Sequence, residues 1–193
     1  MSKIILSGLF IFFTCTATAQ LFTTVQWQGF ESLPEGDTIY YQANNALNWK
    51  DFKGSPQKNS VAIAITASGF GYTVAMKSRG NKATLVISVF CFFLKNNSWV
   101  KQNMKSDYAL LHEQHHFDIT FIAASSFMKK LKAAAFTLNN YNSLLKKLHD
   151  ESYAELEKMQ NDYDGQTKNG QLSDVQSEWN MKLSRQLSAL VTN

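Results

Sequence analysis

Cysteine is scarce in this chain, two among 193 residues. Cys15 lies in the opening stretch "MSKIILSGLFIFFTCTATAQ" and Cys91 inside "VISVFCFFL". Two cysteines so placed offer no disulfide framework, so stability has to come from a hydrophobic core. Cys91 reads as a small buried hydrophobe. A clustered basic stripe with interleaved aromatics is also missing. The formal net charge is +4, but the lysines are scattered. The pairs Lys129–Lys130 and Lys146–Lys147 fall inside helical patterns, where solvated helix faces explain them, and this argues against a nucleic-acid partner. The longest apolar run, residues 4–13, falls well short of the ~20 residues a spanning helix needs. There is no internal repeat and no low-complexity segment.

That short apolar run has the form of a secretory leader. Lys3 supplies a positive start, and Ala17-Thr18-Ala19 is a small-x-small cleavage site. Residues 1–19 are therefore expected to be a signal peptide, with Gln20 beginning the mature chain. Retention as an anchor is disfavoured by the run's length. Lipidation of Cys15 is disfavoured by its neighbours Phe12 and Thr14. The expected mature protein is exported, periplasmic or extracellular, and has no stable membrane span. Its 45% hydrophobic content suits one domain with a real core over residues 20–193.

The chain changes character near residue 105. In the β-rich part, 20–105, "SVAIAITASGFGYTVAM" (60–76) and "KATLVISVFCFFL" (82–94) alternate in polarity and are rich in β-branched and aromatic residues. Gly80 and Asn81 between them suit a hairpin turn. "TIYYQA" (38–43) is a weaker strand, and "LNWKDFKGSPQKNS" (47–60) reads as an extended segment followed by a loop. In the α-rich part, 106–193, the apolar period becomes 3–4. One helix is expected from a cap at Ser106 or Asp107 to about Leu138, ended by Asn139 and Asn140. A second runs from Tyr141 to Tyr163, and a loop starts at Asp164. Ser173 and Gln176 form a capping-box pattern at the start of a third. The expected fold is α+β: a small antiparallel β-sheet followed by three helices.

"LLHEQHHFDIT" (110–120) places three of the four histidines within five positions. His112, Glu113 and His116 match H-E-x-x-H. Residues i and i+4 share a helix face, so His112 and His116 can reach one zinc ion, and Glu113 can take a proton from a water that attacks a carbonyl. The plainer reading is a surface histidine cluster. A catalytic zinc needs a third protein ligand. His116 to Leu138 is roughly 22 residues, about 33 Å of helix. If the next helix returns antiparallel, Tyr163 and the residues after it come back to the level of His116. His149 would then lie roughly 20 Å away, and Glu151 and Glu155 are also too far along. Asp162, Asp164 and Asn169 remain. Asp118 could orient a ligand or be an exposed helix acid. Tyr163 could donate to an oxyanion or pack in the core. Trp49, Phe52, Trp99 and Trp179 are most simply core anchors.

These segments resemble a bacterial family of secreted zinc-dependent proteases, catalogued as a domain of unknown function. "LNWKDFKGSP" (47–56) is similar to its W-x-D-F-x-G signature, and "SWV" (98–100) precedes the metal helix as in that family. "LLHEQHHFDIT" is similar to its L-x-H-E-Q-G-H-F-D-I core. "YDGQTKNGQLSDVQSEW" (163–179) resembles its Y-D-x-x-T-x-H-G segment with Q-x-x-W following. The likeness covers roughly residues 40 to 185. It implies a zincin-like domain in which His112 and His116 bind Zn2+, Glu113 is the catalytic base, and a third ligand lies in the last segment.

Two positions depart from the pattern. Asn169, a weak oxygen donor, stands where the family has histidine, and His115 stands where it has glycine. Three readings follow: Asp164 is the third ligand, His115 has been recruited, or the metal is held weakly. The expected function is a zinc metallohydrolase acting on a peptide or protein substrate. The alternatives are a non-catalytic envelope binding protein and a purely structural module.

Overall fold

The computed structural model describes residues 20–30 and 36–191, and the expected leader lies outside them. Strand β5 (Lys82–Leu94) is the spine of the sheet. Its side chains alternate, and Leu85, Ile87, Val89, Cys91 and Phe93 are buried on one face. Cys91 is the free, buried cysteine that the sequence suggests. Strand β4 (Ser68–Arg79) runs antiparallel along one edge of β5 from Ser68↔Phe93 to Arg79↔Lys82. Gly80, with φ of 61°, supplies the turn. The other edge is shared by β1 (Gln20–Trp27) and β2 (Thr38–Tyr40).

β2 is antiparallel to β5, but β1 is parallel to it, in register from Gln20↔Lys82 to Trp27↔Val89. The α+β class is as the sequence suggests. The sheet is mixed rather than wholly antiparallel, because the first strand runs alongside β5 with no hairpin to reverse it.

A separate two-stranded ribbon pairs β3 (Ala64–Ile65) with β6 (Trp99–Val100). Residues 60–67 therefore leave the long hairpin strand that the alternation suggested. The "WKD" stretch is a 3-10 turn, Trp49–Asp51, capped by Asn48, whose Oδ1 accepts the Lys50 N–H at 3.0 Å. Gly54 then sits against the 96–98 backbone. Its N–H donates to the Ser98 carbonyl at 2.8 Å, and a Cβ there would come within 2.7 Å of the Asn96 carbonyl oxygen.

Three helices follow: α1 (Asp107–Ala133), α2 (Tyr141–Thr167) and α3 (Ser173–Val191). Ser106 caps α1, its hydroxyl accepting the Ala109 N–H at 3.1 Å. Phe117, Ala124, Phe127 and Leu131 of α1 belong to the same buried cluster as the inner face of β5. Both predicted helix ends shift. α1 stops five residues before Leu138, because Asn140 takes over the loop backbone: its Oδ1 accepts from Thr137 N–H at 2.7 Å and its Nδ2 donates to Ala135 O. α2 runs on past Tyr163 and ends at left-handed Lys168, with Asn169 and Gly170 also at positive φ. Asp164 is thereby a helix residue rather than the start of a loop. Among the described residues no helix is long and apolar enough to cross a membrane.

Candidate metal centre

His112 and His116 project from one face of α1 toward the last turns of α2. The His112 and His116 Nε2 atoms are 3.3 Å apart, and Asp164 Oδ1 lies 3.1 Å from each. Four donors arranged tetrahedrally around zinc with bonds of ~2.0–2.1 Å stand about 3.3 Å from one another. The three atoms thus already have the spacing of one face of that tetrahedron. This group, His112, His116 and Asp164, is able to hold a metal ion. It opens on a cleft of about 470 Å³, which Glu113, Asn169 and residues 62–66 help to line.

The remaining ring nitrogens are also occupied. His116 Nδ1 meets Gln160 Oε1 at 2.5 Å. The Gln160 amide nitrogen donates to His116 O at 2.9 Å and to Thr120 Oγ1 at 3.2 Å. A carbonyl can only accept, so the orientation of Gln160 is settled: its oxygen faces Nδ1, Nδ1 carries a proton, and Nε2 is the nitrogen turned toward Asp164 and His112. His112 Nδ1 meets Gln176 Oε1 at 2.9 Å. The His112 ring also stacks on Tyr163, with centroids 4.6 Å apart. Such partners fix the orientation of a ligating imidazole.

Electrostatics favour a charged acceptor among the histidines. Burial pushes the Asp164 pKa up, but the bonds from His112 and His116 outweigh it and hold the carboxyl well below its usual range. Burial likewise works against charge on His116, yet the Asp164 bond, the Glu113 and Asp164 charges and Gln160 together raise its pKa. Glu113 is buried, and its Oε2 accepts from the Thr66 hydroxyl at 2.7 Å.

Several sequence expectations resolve here. Of the three candidates for the third position, Asp164 joins the histidines. Asp162 instead pairs with Lys158 on the helix surface. Asn169 lines the same cleft. His115 is not recruited. Its ring is engaged toward α3 instead, its Nδ1 2.9 Å from Asp118 Oδ2 and its Nε2 2.9 Å from Asn180 Oδ1. Asp118 is neither an exposed acid nor a partner of His112 or His116; it is buried and binds His115, Tyr41 and Gln114.

Tyr163 is fully buried, with its hydroxyl taken by Gln176 and near His112 O, so it packs and orients rather than facing the cleft. His149 lies far from the group, among Phe70, Tyr72, Phe127 and Tyr153. Trp99, Trp179 and Phe52 are buried, and Trp49 packs against the core.

Gln176 does not complete a capping box, since its side chain turns inward to His112 and Tyr163. Sequence reasoning did not single out Gln160, Thr66 or Asn180. Gln160 sits four residues before Asp164, on the same helix face, which was the available signal. Comparisons with known protein families, with curated proteins and with solved structures gave no match.

Proposed function

We propose that the chain is an exported zinc-dependent peptidase with Glu113 as general base. The observation that carries this reading is the convergence of His112, His116 and Asp164, at 3.1–3.3 Å spacing, on the cleft that Glu113 also lines. Two imidazoles and one carboxylate form a donor set suited to catalytic zinc, which leaves a further position for water or substrate. Bound there, zinc would polarise a substrate carbonyl and make water more acidic. Glu113 would accept the proton from that water and pass it to the departing amine. The Thr66 hydroxyl holds one carboxylate oxygen of Glu113 and so orients the other. Gln160 and Gln176 keep both rings facing the cleft.

A peptide substrate is favoured by the wall opposite the histidines. Strand β3 pairs, among the described residues, with β6 alone, and residues 62–66 line the cleft. An extended peptide could lie along that strand and bind its backbone. Ile63 and Ile65 are partly exposed there and would favour apolar substrate side chains. The leader-like N-terminus and the four segments that resemble motifs of secreted zinc-dependent proteases support export and the peptidase class. The binding-protein alternative drew on Asn169. Asp164 supplies a third donor without it, which favours the catalytic reading.

The test is metal content of the mature, untagged protein beside a His112→Ala, His116→Ala variant, followed by hydrolysis of quenched fluorescent peptides. About one zinc per chain, lost in the double variant, is expected. Glu113→Gln should keep the zinc and lose roughly 10²–10⁴-fold in turnover. Turnover by Glu113→Gln equal to that of wild type would remove Glu113 from the mechanism.

A further inference from the structure

Helix α2 carries six acidic residues, and five of them are accounted for. Lys146 pairs with Asp150, Lys147 with Glu151, Lys130 with Glu155 and Lys158 with Asp162. Asp164 lies against His112 and His116. Glu157 is the exception. It is exposed, it lines the cleft, and it has no ion-pair partner among the described residues. Its neighbour in the chain, Lys158, turns to Asp162 instead.

The helix period places Glu157 relative to the metal group. Tyr153, Glu157, Gln160 and Asp164 are spaced i, i+4, i+7 and i+11, which puts them on one face of α2. That face and residues 62–66 line the same cleft. Asp164 marks its metal end. Glu157 comes seven residues earlier in the chain, about 10 Å along the helix axis. An extended peptide advances ~3.3 Å per residue. Glu157 is therefore about three substrate residues away from the metal group.

Charge and packing specify what Glu157 would take. The carboxylates of Glu113, Glu157 and Asp164 line the cleft and no lysine or arginine among the described residues does, in a chain whose formal net charge is +4. Zinc bound at the histidines would balance the charges of Glu113 and Asp164, and that of Glu157 would remain. Tyr153 lies one turn before Glu157, is 40% exposed and lines the cleft with it. Its ring stacks on His149 and leans on Phe70, each with centroids 6.0 Å apart. A fixed aromatic ring beside a free carboxylate suits the two parts of a lysine or arginine side chain. The apolar stem lies along the ring, and the cation meets both the ring and the carboxylate.

We propose that Glu157, together with Tyr153, is a specificity-determining pair that selects a lysine or arginine side chain about three residues from the scissile bond of a peptide substrate. The proposal rests on the peptidase reading for its reaction. The subsite itself requires only that a peptide occupies the cleft.

The experiment uses quenched fluorescent peptides that differ at a single position. Arginine, norleucine or glutamate is placed in turn at successive residues on either side of the scissile bond. About three residues away, arginine should exceed norleucine in kcat/KM by roughly 3–30-fold, with glutamate poorest. The preference should shrink as salt is added. Glu157→Gln should bring the arginine-to-norleucine ratio close to one, and Glu157→Lys should make glutamate better than arginine. Glu155→Gln, on the same helix but in the pair with Lys130, should keep the wild-type ratio. Equal rates for arginine and norleucine at every position would overturn the proposal, as would a preference that survives Glu157→Gln.

Binding separates the subsite from the chemistry. The same peptides, labelled with fluorescein, are titrated by anisotropy into the mature Glu113→Gln protein supplied with zinc. The arginine peptide should bind more tightly than the norleucine peptide, and adding Glu157→Gln should remove the difference. That result without any turnover by the wild type would keep the subsite and overturn the peptidase reading. Turnover with no charge preference would keep the peptidase reading and overturn the subsite. Peptides neither bound nor cleaved would overturn both.

Discussion

The Oδ1 atom of Asp164 lies 3.1 Å from Nε2 of both His112 and His116. One carboxylate oxygen therefore closes a triangle whose base is the i, i+4 histidine pair. This relationship makes Asp164 the third donor and leaves Asn169 beside the cleft. Asp164→Ala is expected to weaken zinc binding by more than the roughly 10–100-fold typical of losing an outer partner. Asn169→Ala should leave it close to wild type. Competition titration of the two variants checks this, and an Asn169→Ala variant that lost its zinc would reverse the assignment.

Stability of the metal-free protein should depend on pH through the same triangle. Asp164 has a depressed pKa, so its contribution is present above the unfolded carboxylate value of about 4 and is lost as pH falls through the lower folded value. His116 has a raised pKa, so its contribution is full below the unfolded value of about 6.5 and is lost as pH rises through the higher folded value. The metal-free protein should thus be most stable from about pH 4 to pH 6.5 and weaken above that. Zinc needs neutral imidazoles, so stabilisation by zinc should grow over the interval in which the metal-free form weakens. Thermal melts with EDTA and with zinc, from pH 4 to pH 9, measure both trends. A melting temperature in EDTA that kept rising above neutral pH would contradict the His116 account.

Much of this site could be read in the sequence because its parts are local. H-E-x-x-H encodes a helix face, and the return of α2 follows from helix length. The spacing in "YDGQTKNG" is explained residue by residue. Tyr163 stacks under His112, Asp164 sets a carboxylate oxygen against both histidines, the Thr167 hydroxyl binds Tyr163 O and receives the Gly170 N–H, and Gly170 lets the turn close over His112. Gly54 and Ser98, far apart in the chain, explain two other motifs by meeting at one backbone contact.

What the sequence hid were the partners chosen by tertiary packing. Ser173 and Gln176 have the spacing of a cap, yet the pull of a buried imidazole on Gln176 wins over the helix end. His115 could not be told from a ligand by spacing alone, because the side of the helix it faces depends on where α3 packs. The parallel β1 likewise leaves no local signature.

Thr66 bears on turnover without touching the metal group. Its hydroxyl holds Glu113 Oε2 at 2.7 Å and lies 3.1 Å from Glu113 O. A hydrogen bond to a charged group contributes roughly 1.5–3 kcal/mol. Thr66→Val keeps the shape and removes the bond, so peptide hydrolysis should fall about tenfold or more while zinc content stays at the wild-type level. Paired measurements of turnover and metal content separate this from a folding defect, which would lower both. Unchanged turnover would mean that Glu113 is oriented by something else.

Two glycines allow backbone strain to be separated from an effect on the site. Gly170 has φ of 77°, and a Cβ there would meet His112 Nδ1 at 3.2 Å. Gly80 has φ of 61° with nothing within 4 Å of an added Cβ. An L-residue in the left-handed region costs about 1–2 kcal/mol. Each glycine-to-alanine change should therefore lower the melting temperature by about 2–8 °C in a chain of this size. Only Gly170→Ala should also weaken zinc binding, because the new methyl group presses on the edge of His112 that Gln176 holds. Gly80→Ala strains a hairpin turn away from the cleft and should bind zinc as wild type does. Equal zinc affinity in the two variants would show that the 168–170 turn merely covers His112 without setting its position.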